Sequence, residues 1–251
     1  MKNITLATCS YNTPEVTLTM LRSFFSHHDS TEVLVCENSS NEDTVNLLSD
    51  NNVTFIRNKN GLHAPSVDKL IENCKTDYIL LVDTDVIFLK NHQDIFDQFK
   101  SANLTLLGEI CGDRGGKRLH NRVHPWHCFI NIKDIKEHGI KFYDYERQIK
   151  RDGSPIYDVG ASFFEDIKNA KLKIADVKLE HSYYKHYEGM SWRTLKFGEK
   201  DGNIDVDSEA THNNRDLYNY GKMVENRYMN EISKYKNIPL ILLILNFVLC
   251  I

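Results

Sequence analysis

The chain of 251 residues is long enough for one large domain, or for a domain with a small extension. Lys and Arg number 31 against 35 Asp and Glu, giving a net charge of −4 and no polybasic stretch, so a nucleic-acid partner is not indicated. Six cysteines are scattered without a C-x-x-C pair, several of them inside apolar runs. This excludes a disulfide framework or a zinc cluster and suits buried thiols in a reducing, cytoplasmic setting.

Residues 4–8 read as a first strand, so near Met1 that no signal peptide is expected. Thr13, Pro14 and Glu15 then supply an N-cap, a proline at the first helical position and an acid in the first turn. Val16, Met20, Leu21, Phe24 and Phe25 follow at helical spacing. Residues 32–36 form a second strand that breaks at Glu37-Asn38-Ser39-Ser40, and a short helix over roughly 42–49 precedes a third strand at 53–56. Asn58 to Gly61 is a loop, Ala64-Pro65 opens a helix, and a fourth strand ends in Asp83. Such a β-α-β-α-β-α-β order predicts a parallel, doubly wound α/β sheet whose ligands bind at the carboxyl ends of the strands. Thr8-Cys9-Ser10-Tyr11, Glu37-Asn38 and Asp83-Thr84-Asp85 all fall at those ends.

Later segments are less regular. Residues 108–123 are rich in Gly, Arg and His and read as a mobile loop. A strand is expected at 126–132, a helix over about 161–170 after Ile156-Tyr157-Asp158-Val159-Gly160, and a strand at 172–177. Residues 201–214 read as a polar flap or linker. The apolar stretch 238–251 is too short for a membrane span and would serve as a peripheral membrane foot, a buried element or a dimer contact.

The strongest chemical signal is the apolar run Tyr78-Ile79-Leu80-Leu81-Val82 ending in Asp83-Thr84-Asp85. Asp is disfavoured inside strands, so two carboxylates at a strand end point to chemistry. Hard carboxylate oxygens suit Mg²⁺ or Mn²⁺, which commonly hold phosphates beside one or two protein carboxylates. A solvated acidic turn is the alternative for an isolated D-x-D.

Several segments in order resemble the GT-A fold of nucleotide-sugar glycosyltransferases, of the family 2 type. They are 4–12 with Pro14, Glu15 and Leu21-Arg22-Ser23; Val33 to Ser40; Asn58 to Gly61; Asp77 to Val86; Tyr157-Asp158-Val159 through Lys173-Ile174; and His186-Tyr187-Glu188-Gly189-Met190-Ser191. The match covers about residues 3–195. The implied fold is a GT-A, Rossmann-like, mainly parallel mixed sheet with helices on both faces. Residues 1–200 would form the transferase domain, with a nucleotide-sugar half to about 90 and an acceptor half beyond it; 201–251 would be a flap and apolar extension. Departures include Glu37 where Asp is usual, Tyr157-Asp158 for Glu-Asp, and Lys171 in place of a glycine.

The resemblance implies a transfer, inverting in outcome, from a nucleotide sugar (UDP-linked) to a glycan or other hydroxyl acceptor, with Mn²⁺ or Mg²⁺ as cofactor. Thr8, Ser10, Tyr11, Asn12, Glu37, Asn58, Gly61, Asp83, Thr84 and Asp85 would bind the donor, Tyr11 stacking on the base and Glu37 accepting a base N–H. Asp83, Asp85 and His186 would hold the metal, with His181 as the rival imidazole; an imidazole ligand favours Mn²⁺. Asp158 would be the general base, or an N-cap of the following helix, while Trp126 and His127 would line the acceptor pocket. A HAD-type phosphatase would place its D-x-D on the first strand, and a nucleotidyltransferase would need a Gly-rich basic loop where Ser10-Tyr11-Asn12-Thr13 stands. A glycan-binding relic of the fold would not be expected to retain Asp83, Asp85 and Asp158.

Overall fold

The computed structural model describes residues 1–28, 31–112, 119–149, 156–187, 189–190, 215–235 and 238. Strands β1 (Ile4–Ser10), β2 (Glu32–Glu37), β3 (Phe55–Arg57) and β4 (Tyr78–Asp83) run parallel. Helices α1 (Pro14–Phe25), α2 (Asp43–Asp50) and α3 (His63–Asn73) connect them. After β5 (Val86–Phe88) and α4 (Gln93–Ser101), β6 (Leu106–Cys111), β7 (Arg122–Asn131) and β8 (Ile174–Asp176) complete a seven-stranded sheet in the order β3-β2-β1-β4-β7-β6-β8. Helix α5 (Ile132–Glu137) follows β7, then α6 (Tyr145–Ile149) and α7 (Ala161–Asn169). A separate ladder pairs β5 with β9 (Tyr184–His186), and α8 (Arg215–Tyr235) comes last.

β4 is buried on both faces, which explains its unbroken apolar sequence. Its side chains alternate: Leu80 and Val82 join the cluster of Met20, Leu21, Phe24, Phe96 and Phe129, while Ile79 and Leu81 join that of Val67, Leu70, Phe163 and Ile167. The sheet is thus covered by α1 and α4 on one face and by α3 and α7 on the other.

Where the sequence predicted a strand at 126–132, the structure has the longer β7, antiparallel to β4. Pairing with β4 ends at Val82 and His127, so residues 122–126 overshoot the carboxyl edge of β4. The expected loop at 108–123 begins inside β6 and ends inside β7; residues 113–118 lie outside the described set, as do 201–214 and 239–251. Helix α8 was not foreseen, because its buried residues Val224, Tyr228 and Ile232 recur only every fourth position in a polar stretch. Among the described residues no helix is long and apolar enough to cross a membrane.

Three buried histidines form a row through the α1/α4 side of the core. The His92 backbone N–H donates to His28 Nε2 at 3.0 Å, so the His28 hydrogen sits on Nδ1 and donates to Phe24 O at 2.9 Å. His92 Nδ1 lies 3.0 Å from the carbonyl of Lys90 and therefore carries its hydrogen. That leaves His92 Nε2 to accept from His127 Nε2–H at 3.1 Å. Every ring is neutral and satisfied, and His127, stacked on Tyr184 at 4.1 Å and only 2% exposed, belongs to this core row rather than to an acceptor pocket. Burial pushes His28 down to about 4 and His127 to about 3, and holds His92 well below its ordinary value. The unfolded chain therefore binds more protons below pH 6.5, and stability falls as pH drops from there toward 4, by about 1.4 kcal/mol per pH unit for each histidine. Chemical denaturation at pH 7.5 and pH 5 should show a clear loss at the lower pH; equal unfolding free energies would contradict the neutral row.

Candidate functional site

Asp83 closes β4, and after Thr84 and Asp85 the chain re-enters a strand, β5, paired only with β9. The Val86–His186 register of that ladder brings His186 Nε2 to 3.2 Å from Asp85 Oδ1. Oxygens of Asp83 and Asp85 and a ring nitrogen of His186 all lie within 4.8 Å of one another. His63, the first residue of α3, approaches from the other side, its Nε2 3.4 Å from Asp83 Oδ1.

The electrostatics follow from this crowding. Burial disfavours the charged form of His186, but the nearby Asp85 and Asp83 outweigh it and push its pKa up to about 9. Burial likewise opposes charge on His63 and Asp83, and their mutual contact wins, raising the histidine and lowering the acid. Ligands around one ion at about 2.2 Å stand no more than about 4.4 Å apart, so small side-chain shifts would close the Asp83, Asp85, His186 set on a divalent cation. Two hard oxygens with one imidazole suit Mn²⁺ better than Mg²⁺. His181 sits exposed in the turn before β9 with its N–H donating to Tyr184 O, and it is not part of the set.

The overshooting end of β7 adds aromatic rings. Trp126 is stacked between His124, at 3.6 Å, and His186, at 4.7 Å. This places Trp126 against the ring face of His186, whereas His127, the next residue, is turned into the core row. At the start of β7, Arg122 Nη1 pairs with Asp158 Oδ2 at 2.8 Å; the arginine is 11% exposed and the acid 42%. Asp158 Oδ1 accepts from the Val159 N–H. The N-cap of α7 is Gly160, not Asp158: its φ of 84° favours glycine, and a Cβ there would lie 2.8 Å from Val123 O. Asp158 is thus held at the start of β7, through Arg122, four residues before Trp126 on that strand.

The remaining rim residues mostly build loops. Asn12, at φ 50°, receives the Ser40 N–H on its Oδ1, while its own N–H donates to Ser39 Oγ. Asn58 Nδ2 donates to Asn38 and Ser66, and its Oδ1 accepts from Lys69 Nζ at 2.6 Å. Gly61 is needed beside this network, because a Cβ would come within 1.8 Å of Asn58 Nδ2. Tyr11 is half-buried at the end of β1.

Four of the expected donor residues have buried side chains. Thr8 and Thr84 are fully buried, and Ser10 Oγ is buried 2.8 Å from Thr17 Oγ1 of α1. Alternation along β1 puts Thr8 and Ser10 on one face of the strand. Glu37 is fully buried as well: Oε1 accepts from Ser39 N–H and Oγ–H, and Oε2 pairs with Arg57. Its longer side chain folds back to hold the Ser39 loop instead of presenting an acceptor to a base. His63, His124, Arg57 and Arg122 were not foreseen. The available hints were a histidine at a helix start after Gly61-Leu62, and His124 two residues before Trp126.

The profile described as glycosyl transferase family 2 matches residues 5–164. No curated protein matches the sequence. Among solved structures, residues 1–349 of S. aureus TarS align with a TM-score of 0.52 at 15% identity, covering 73% of this chain and 60% of that one. The mannosyltransferase PcManGT from Pyrobaculum calidifontis, in complex with GDP-Man and Mn²⁺, gives 0.53 at 10% identity over 70% and 54%. The galactosyltransferase LgtC, in complex with donor and acceptor sugar analogues, gives 0.52 at 11% identity over 94% and 97%. At these identities the likeness is one of fold, and this chain spans about 60% of the TarS segment. With well over half of its length matched by the profile and its mixed sheet shared with these enzymes, the chain belongs to glycosyl transferase family 2 and has the GT-A glycosyltransferase fold.

Proposed function

We propose that the protein is a metal-dependent, inverting glycosyltransferase that moves a sugar from a UDP-linked donor to a hydroxyl of a glycan or related acceptor. The observation that carries this reading is the convergence of Asp83, Asp85 and His186 at the sheet rim where family 2 enzymes are built to hold a nucleotide sugar. Mn²⁺ is the proposed ion, consistent with its presence beside GDP-Man in PcManGT. Bound there, it would offset the charge developing on the departing diphosphate. UDP is favoured over other carriers because TarS 1–349 has been solved with UDP and with UDP-GlcNAc.

On the donor side Tyr11 offers a ring face to the base, and the Asn12–Ser40 and Glu37–Arg57 contacts keep its loop in place. Asp83 and Asp85, with His186, would hold the ion at the diphosphate end of the donor. Trp126, beside His186, provides an apolar wall for a sugar. On the acceptor side Asp158 takes the hydroxyl proton, with Arg122 orienting its carboxylate. A single displacement from the face opposite the diphosphate gives inversion.

Asp85→Ala should abolish Mn²⁺-dependent nucleoside diphosphate binding in calorimetry while the protein stays folded; undiminished, metal-dependent affinity would sink the metal assignment. UDP should bind more tightly than ADP, and Tyr11→Ala should weaken UDP by roughly 1–3 kcal/mol, the range of base–aromatic stacking; equal affinity for the two nucleotides would move the base pocket elsewhere. Asp158→Asn should bind metal and donor normally yet turn over about 10²–10⁴-fold more slowly. Product configuration read by NMR should be opposite to the donor's, and retention would exclude the single-displacement route.

A further inference from the structure

The metal set draws two carboxylates from the end of a seven-stranded sheet but its imidazole from a strand of three residues. β9 pairs only with β5, itself three residues long, and an isolated two-stranded ladder of this size does not hold itself in place in water. Side chains alternate along such a strand. Tyr184 and His186 face inward, onto His127 and Asp85. Lys185 and Tyr187, the two neighbours of His186, therefore face outward, and α8 lies there.

Two side chains of α8 engage these neighbours. Glu231, 14% exposed, accepts from Lys185 Nζ at 3.0 Å. One turn earlier Tyr228, fully buried, meets the Tyr187 ring edge-on at 5.2 Å. Val224, Tyr228 and Ile232 extend this contact to Val16 of α1 and Ile87 of β5. The helix thereby ties the outward face of β9 to the main body, while Trp126 and Asp85 fix the imidazole on the inward side.

We propose that Glu231, together with Tyr228, is a positioning residue for the metal site: by gripping the residues on either side of His186 it holds that imidazole at the distance a cation shared with Asp83 and Asp85 requires. The proposal rests on the metal reading above and assigns to α8, which begins about 30 residues beyond His186, a part in cation affinity. Glu231 touches neither metal nor substrate. Its effect passes through the backbone of β9.

The test is the Mn²⁺ dissociation constant of the metal-free full chain, by calorimetry or by the EPR signal of free Mn²⁺, with no turnover involved. Glu231→Ala should weaken Mn²⁺ by about tenfold, as outer-shell supports of metal ligands commonly do. Glu231→Gln, whose amide oxygen still accepts from Lys185, should recover part of the loss. Lys234→Ala removes only the exposed partner of Glu231, 2.7 Å away, and should leave affinity unchanged. Unchanged affinity in Glu231→Ala overturns the proposal, and so does an equal loss in Lys234→Ala, which would reveal general weakening of the helix. Should Glu231→Ala not fold, Lys185→Met deletes the ion pair from the β9 side with little change of volume, and wild-type affinity there is equally decisive against the proposal. Asp85→Ala separates the two levels: if it binds Mn²⁺ like wild type, the metal reading itself is wrong, whereas its loss beside an unaffected Glu231→Ala removes only the role of α8.

Discussion

Two carboxylates one residue apart at the end of a buried strand must be compensated, and much of the rim is arranged around that demand. Asp85 is fully buried and the Asp83 side chain is 20% exposed, and carboxylates this close favour their charged forms only with positive partners at hand. The chain supplies two imidazoles from opposite directions, His63 from the start of α3 and His186 from β9. Both are held toward the protonated state by the acids they meet. A divalent cation entering between Asp83, Asp85 and His186 would take over this role and displace the His186 proton, so cation affinity and pH are linked at this site.

The reversal of strand direction between β4 and β7 gives the rim its second half. Because β7 runs antiparallel and continues past the end of β4, its first residues stand above the carboxyl edge. Trp126 and His124 reach the metal set from there, and Arg122 holds Asp158 farther out. A wholly parallel sheet would have brought another β-α turn to this edge instead of a rail of side chains.

Under this rim the protein keeps a large polar interior, much of it paired by contacts distant in sequence. Glu37 and Arg57 lock the loop after β2, and Asn38, Asn58, Ser66 and Lys69 tie that loop to α3. The row of His28, His92 and His127 crosses the core as three neutral rings with one hydrogen each. Buried groups of this kind are costly when a single partner is removed, which ties the shape of the donor rim to residues that never face a ligand.

Sequence alone determined the first half of the fold. The spacing of apolar residues in α1 and α3, the caps around Thr13-Pro14, and the unbroken apolar run of β4 are local signals, and the strand-end position of Asp83 and Asp85 follows from them. The resemblance to the GT-A family singled out His186 and Asp158. Tertiary structure decided what those signals do not carry: which way a side chain turns and what it meets. Thr8, Ser10 and Thr84 sit beside rim positions in sequence yet have fully buried side chains, Thr8 and Ser10 sharing one face of β1. Glu37 and His127 have the right chemistry for a ligand but were claimed first by Arg57 and His92, partners 20 and 35 residues away. The same holds for α8, whose sparse apolar stripe becomes meaningful only against α1 and β9. Periodicity and capping are written within a few residues of one another, whereas pairing energies depend on long-range contacts that exist only once the chain has closed on itself.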